Sequence, residues 1–161
     1  MVRTVFFSFH FKRDAWRAGQ VRNSWLTQPD RKSAGFIEGS DWEEIERQGD
    51  AAIRRWIDNQ LKGTSVTAVL IGKETSERRW VNYEIVESVK KGNGIVGIYI
   101  DNIKGKNGLR DTRGINPLTQ HQFSDTGRRY SDAYYTYDWV LDRGYDNFGD
   151  WVEEAANIAG R

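Results

Sequence analysis

A chain of 161 residues is the size of one domain and long enough to bury a hydrophobic core. Its 38% hydrophobic and 29% charged content is that of a folded globule, and a formal net charge of only +1 calls for neither nucleic acid nor a membrane as partner. With no cysteine, disulfides and thiolate metal sites are excluded. Residues 1–11 hold one basic residue and a short apolar run broken by Ser8, too short for a signal peptide or a membrane span, so the expected location is cytoplasmic.

In chain order, Arg3–Phe9 is a compact β-prone run and reads as a buried central strand. Arg13–Leu26 places Trp16, Val21 and Trp25 near helical spacing, with Asp14 favouring the positive end of that helix. Pro29 and Asp30 break the chain before a short second strand, Ala34–Glu38. Ser40 and Asp41 are N-cap residues for a helix over Trp42–Leu61, stopped by Gly63. Ser65–Ile71 is a β-branched, apolar third strand, followed by a polar turn and a helix over Arg79–Lys91 striped with Val81, Ile85 and Val89. Ile95–Ile100 is the fourth strand. Asp101–Asp132 is rich in Gly, Asn, Asp and Arg with little periodicity, a loop whose length points either to function or to a poorly ordered insertion. Tyr134–Leu141 is a last strand, and Asn147–Ala159 a closing helix.

This alternation predicts one α/β domain over residues 1–161, with a parallel sheet of about five strands between helix layers in the flavodoxin-like order 2-1-3-4-5, and the long loop at about 101–132 as an insertion. Ligands of such sheets bind beyond the carboxyl ends of the strands, which singles out residues 8–12, 39–42 and 72–84. A GxGxxG dinucleotide fingerprint and a P-loop are both missing, as are the paired acids of a receiver domain and any His or carboxylate cluster at metal-ligand spacing. One constellation stands out, Arg78-Arg79-Trp80-Val81-Asn82-Tyr83-Glu84. Trp80 and Glu84 are i and i+4 and share a face near the start of their helix. By itself this pattern describes an ordinary surface acid beside a core tryptophan more readily than a site.

The opening Val5-Phe6-Phe7-Ser8-Phe9-His10, the run Ser65–Gly72 and the following Arg79–Ile85 resemble the first strand, third strand and next helix of TIR-like domains. With Val21–Trp25 and Tyr137–Val140, the resemblance is closest to the TIR-like proteins of bacterial Thoeris anti-phage defence, and Trp80-x-x-x-Glu84 matches the WxxxE pattern of catalytic bacterial TIR domains. It implies an enzyme of the NAD⁺ glycohydrolase and ADP-ribosyl cyclase type, which splits the nicotinamide–ribose bond, requires no cofactor beyond NAD⁺ as substrate, and reaches a separate effector protein through its product. It also implies possible self-association.

On that chemistry Glu84 is the expected catalytic residue. Nicotinamide leaves as a neutral group, and a carboxylate beside the ribose stabilises the oxocarbenium-like transition state. Trp80 is expected to wall the acid, and Phe9 and His10 to stack on a planar ring. Ser8 and the backbone after it are expected to bind phosphate, with Lys12 or Arg13 adding charge. Asn23 is a further substrate-binding candidate. Asp41 and Trp42 fall in the stretch equivalent to the BB loop of TIR domains, placed to gate the pocket or serve assembly. The competing expectation is a non-catalytic TIR-type adaptor acting through protein contacts, which has no need of an acid at position 84.

Overall fold

A computed structural model describes residues 3–37 and 39–161. Five strands, β1 (Arg3–Ser8), β2 (Arg31–Ala34), β3 (Val66–Ile71), β4 (Gly94–Tyr99) and β5 (Thr136–Asp138), pair in the order β2-β1-β3-β4-β5. Every pairing is parallel. The helices are α1 (Phe11–Leu26), α2 (Gly39–Arg47), α3 (Asp50–Leu61), α4 (Arg79–Lys91), the short α5 (Tyr130–Ala133) and α6 (Gly144–Ile158). The expected flavodoxin-like α/β fold and its strand order are therefore present. Among the described residues no helix is long and apolar enough to cross a membrane.

The alternation of strand side chains decides what meets what. Val5, Phe7 and Phe9 of the first strand region, with Val66, Ala68 and Leu70 of β3, face α1 and α6 and join Val21, Trp25, Phe148 and Trp151 in the larger core. The alternate positions face the other helices. There Phe6 packs on Trp42, Ile53, Ile57 and Leu61, and Val69, Ile71 and Ile95 pack on Val81 and Ile85 of α4. Ser8 has the parity of Phe6, and Thr67 that of Val69, so two hydroxyls from neighbouring strands point at α4. Ser88, one turn beyond Glu84, shares a 2.7 Å hydrogen bond with Thr67, and Asn93 donates to Thr64 and Thr67. A polar seam thus runs along an otherwise apolar layer.

Several boundaries differ from the sequence expectation. The helix over Trp42–Leu61 is two helices, broken at Gly49, whose φ of 94° is outside the helical range and suits glycine. The second strand is Arg31–Ala34 instead of Ala34–Glu38: Gly35 turns the chain at φ 86° directly after Ala34, and Phe36 and Ile37 follow as a loop. Glu38 lies outside the described residues. The last strand is only Thr136–Asp138, because the Asp138 carboxylate accepts from the backbone of Val140 and Leu141 and bends the chain into a turn.

The long loop is a packed strap across the carboxyl edge of the sheet. Arg113 bonds both Asp101 and Asp138 and lies 4.1 Å from the Tyr99 ring centroid. Arg17 donates to the carbonyls of Ile103 and Leu109 at 2.7 and 2.9 Å, and Arg13 pairs with Asp111 at 2.6 Å. Leu118 is fully buried against α4. The poorly ordered insertion held open by the sequence is replaced by this anchored segment.

Candidate active site

The site grows from the carboxyl end of β1 and the start of α4. Ser8 ends β1 on the α4 side and is fully buried; its hydroxyl donates a 2.7 Å hydrogen bond to Glu84 Oε1. Glu84, only 1% exposed, has no partner for Oε2. Burial in this apolar layer pushes its carboxyl up to about 8, and the Ser8 hydrogen bond, which favours the ionised form, offsets only part of that rise. Among the described residues it is the acid held by a neutral donor alone while fully enclosed.

Glu84 lines a recess of about 20 Å³, room for roughly one water. Trp80, one helical turn earlier, forms a wall of the same recess, as its i/i+4 spacing requires. Its ring is held edge-to-face by Tyr83, centroids 5.6 Å apart, and covered by the Arg79 guanidinium at 4.5 Å. Phe9 and His10 close the β1 side, and Trp42 of α2 closes the top, its ring tilted against Phe11 with centroids 4.8 Å apart. His10 is lowered from the usual imidazole range, first by burial and then by the Arg78 charge, so it is neutral near pH 7; Glu74 stands 3.9 Å away and opposes this weakly.

Six of the residues named from the sequence thus meet around one recess: Phe9, His10, Lys12, Trp42, Trp80 and Glu84. Ser8 belongs to the site from behind. It carries no exposed surface, and its hydroxyl is engaged by Glu84, so it holds the acid instead of offering phosphate a donor. Asn23 is not brought in. It is exposed twelve residues along α1 from Phe11, about 18 Å of helix away. Asp41 is in the first turn of α2, not in a loop, and borders a separate hollow with Arg22 and Phe36. Arg13 is also committed elsewhere, to Asp14, Asp111 and Glu74.

Phe11, Arg78 and Val81, which complete the lining, lie within the stretches that the sequence singled out but were given no role in the site. Val81 was read as core alone. Arg78 was visible as the residue preceding the helix, where it faces the recess from the N-cap position. The link between strap and α4 was also missed. Asn82 donates to the carbonyls of Ser76 and Arg78, which turns its Oδ1 outward to accept from His121 Nε2–H at 2.7 Å. No spacing in the sequence reports that contact across 39 residues.

Outside the recess a wider groove of about 440 Å³ runs along Phe36, Ile37 and Ala15, sharing Phe9, Phe11, Lys12 and Trp42 with it. Among the described residues no group of three or more His, Cys, Asp or Glu side chains is placed to hold a metal ion.

Sheet order and the placement of the acid on the helix after β3 define an α/β domain of the TIR-like class. Residues 6–105 match the family model described as "Thoeris protein ThsB, TIR-like domain". The chain is also 36% identical, over an alignment of 191 residues covering 94% of it and 100% of the relative, to a Bacillus cereus (strain MSX-D12) protein named "Putative cyclic ADP-D-ribose synthase ThsB1". The chain belongs to the Thoeris ThsB TIR-like family.

Proposed function

We propose that this chain cleaves NAD⁺ at the nicotinamide–ribose bond and makes an ADP-ribose-derived signal for a separate effector in bacterial anti-phage defence. The carrying observation is Glu84: enclosed, held by Ser8 through one oxygen, unpartnered at the other, and walled by aromatic rings. Family membership and the name of the Bacillus cereus relative support the same chemistry.

The residues divide the work as follows. Trp80, Phe9 and Trp42 present flat apolar surface to the nicotinamide ring and exclude water. The positive charge of that ring, entering beside Glu84, favours loss of the Glu84 proton. The C–N bond then breaks, both its electrons leave with neutral nicotinamide, and positive charge spreads over the ribose. The Glu84 carboxylate stabilises that charge and accepts from a ribose hydroxyl at Oε2. Attack on the anomeric carbon by water, by the adenine of the same molecule, or by another acceptor decides which ADP-ribose product forms. No resident cofactor is called for.

The test follows nicotinamide release from NAD⁺ by chromatography, with and without lysate from phage-infected cells, for the wild type and Glu84→Gln. Release by the wild type alone supports the proposal, and the second product peak identifies the signal. Release by neither folded protein favours the adaptor reading. Equal release by both removes Glu84 from its assigned role.

A further inference from the structure

Resting on the NAD⁺ reading, we infer that the 440 Å³ groove beside the recess seats the adenosine diphosphate half of the substrate, with Lys12 at the junction taking the diphosphate.

Size makes the first argument. The recess around Glu84 has room for about one water as it stands, so even with its walls moved apart it takes one end of a dinucleotide. The remainder needs a second cavity continuous with the first. The groove is that cavity: Phe9, Phe11, Lys12 and Trp42 line both spaces, and its volume lies in the ordinary range for a small-molecule site.

Surface chemistry makes the second. Phe36, Phe9, Phe11 and Trp42 form a chain of mutually tilted rings with neighbouring centroids 4.7, 4.7 and 4.8 Å apart, and the partly exposed Phe36 and Phe11 offer an aromatic wall against which a planar base packs. Glu43 at the rim offers an acceptor for an exocyclic amine.

Charge makes the third. Lys12 is the cation that borders both cavities. Its ammonium lies 3.5 Å from Glu46 in an exposed pair of the kind an anion readily displaces. The other cation at the start of α1, Arg13, is bound to three carboxylates. A comparable hollow of about 400 Å³ at the amino edge of the sheet shares none of these walls; its two arginines, Arg3 and Arg31, stand among the four carboxylates of Asp30, Asp146, Asp150 and Glu153, and Arg3 is already paired with Glu153.

The experiment titrates the full chain with ADP by calorimetry. Ala15 is exposed on α1 and borders the groove, so Ala15→Trp fills the space without disturbing the core. The wild type binds ADP; Ala15→Trp and Lys12→Glu weaken binding by at least about tenfold, the scale of one lost stacked base. Asn23→Ala, at an exposed position toward the far end of α1, leaves ADP binding unchanged, and circular dichroism reports that each variant is folded. Failure of the wild type to bind ADP overturns the assignment, as does equal affinity in Ala15→Trp or loss of affinity in Asn23→Ala. Nicotinamide release separates this proposal from the one beneath it. ADP binding without any NAD⁺ cleavage upholds the groove and defeats the cleavage reading. Cleavage with an unchanged KM in Ala15→Trp upholds cleavage and defeats the groove.

Discussion

Two buried acids stand on either side of the carboxyl end of β1, and their surroundings differ. Asp14, 1% exposed, and Glu84, 1% exposed, each have one oxygen without a partner, and burial raises both above the usual carboxylate range. Asp14 is paired. Arg13 donates to it at 2.9 Å, and the same guanidinium reaches Asp111 and Glu74, so positive charge is on hand. Its free oxygen presses on Gly72, where a Cβ would overlap the carboxylate, and the strap closes over that turn through Gly114. Glu84 has only a neutral hydroxyl, and it lines an open recess. A buried acid that is charge-paired and sealed by backbone fastens two segments together. A buried acid left without counter-charge beside a cavity is poised for a ligand that brings the charge.

The largest expected effect separates the two acids by activity. Glu84→Gln lowers nicotinamide release by about 10³-fold or more, on the scale of losing a preorganised electrostatic group. Its stability changes in the opposite direction. The unfolded chain releases the Glu84 proton near the ordinary value of 4.5, whereas the folded chain keeps it to about 8. Glu84 therefore weighs against the fold increasingly as pH rises from about 5 to about 8, and constantly above that. Thermal melts across this range are expected to converge at low pH and to favour Glu84→Gln at high pH. A difference that grows toward acid breaks the comparison. The same titration should make kcat/KM rise with pH to a plateau above about 8.

Next, Arg13→Ala strands Asp14 as an unpaired buried charge and is expected to cost about 3–5 kcal/mol, read by denaturant unfolding. Arg13→Ala together with Asp14→Asn should recover much of that loss. No recovery would mean that Arg13 stabilises chiefly through Asp111. Smaller again, Ser8→Ala removes the donor that favours ionised Glu84. Its kcat/KM profile should move to higher pH, with a loss at neutral pH of about tenfold, in line with one hydrogen bond to a charged group. A uniform loss at all pH values would assign Ser8 to packing. The smallest change, His121→Ala, frees the Asn82 Oδ1 and should lower stability by about 1 kcal/mol.

The fold was readable because the strands announce themselves. Val66–Ile71 is buried along its whole length and reads as a central parallel strand, and β1 carries the same signal. The shared face of Trp80 and Glu84 was legible from their i/i+4 spacing, but the burial of the acid was not: spacing alone suits a surface acid, and the resemblance to TIR-like domains is what singled it out. What escaped depended on single backbone conformations or on distant contacts. Gly49 divides one long apolar stripe into two helices without interrupting its periodicity. Gly35 ends β2 just before the apolar residues that the strand was expected to contain. Ser8 was expected to offer phosphate a donor because position along a strand gives its face but not the depth of what covers it. The strap had no pattern to read, because arginine–carboxylate pairs between elements, such as Arg113 with Asp101 and Asp138, leave no periodicity.

The break at Gly49 also bears on how such a protein diversifies. Of the side chains that pack on Phe6, Ile53, Ile57 and Leu61 belong to α3, whereas Trp42, which is also the wall common to recess and groove, belongs to α2. The cavity wall and most of the foundation are thereby placed on separate nine- and twelve-residue segments. Sequence change can accumulate in the first and reshape what the cavity accepts, while selection for folding acts on the second.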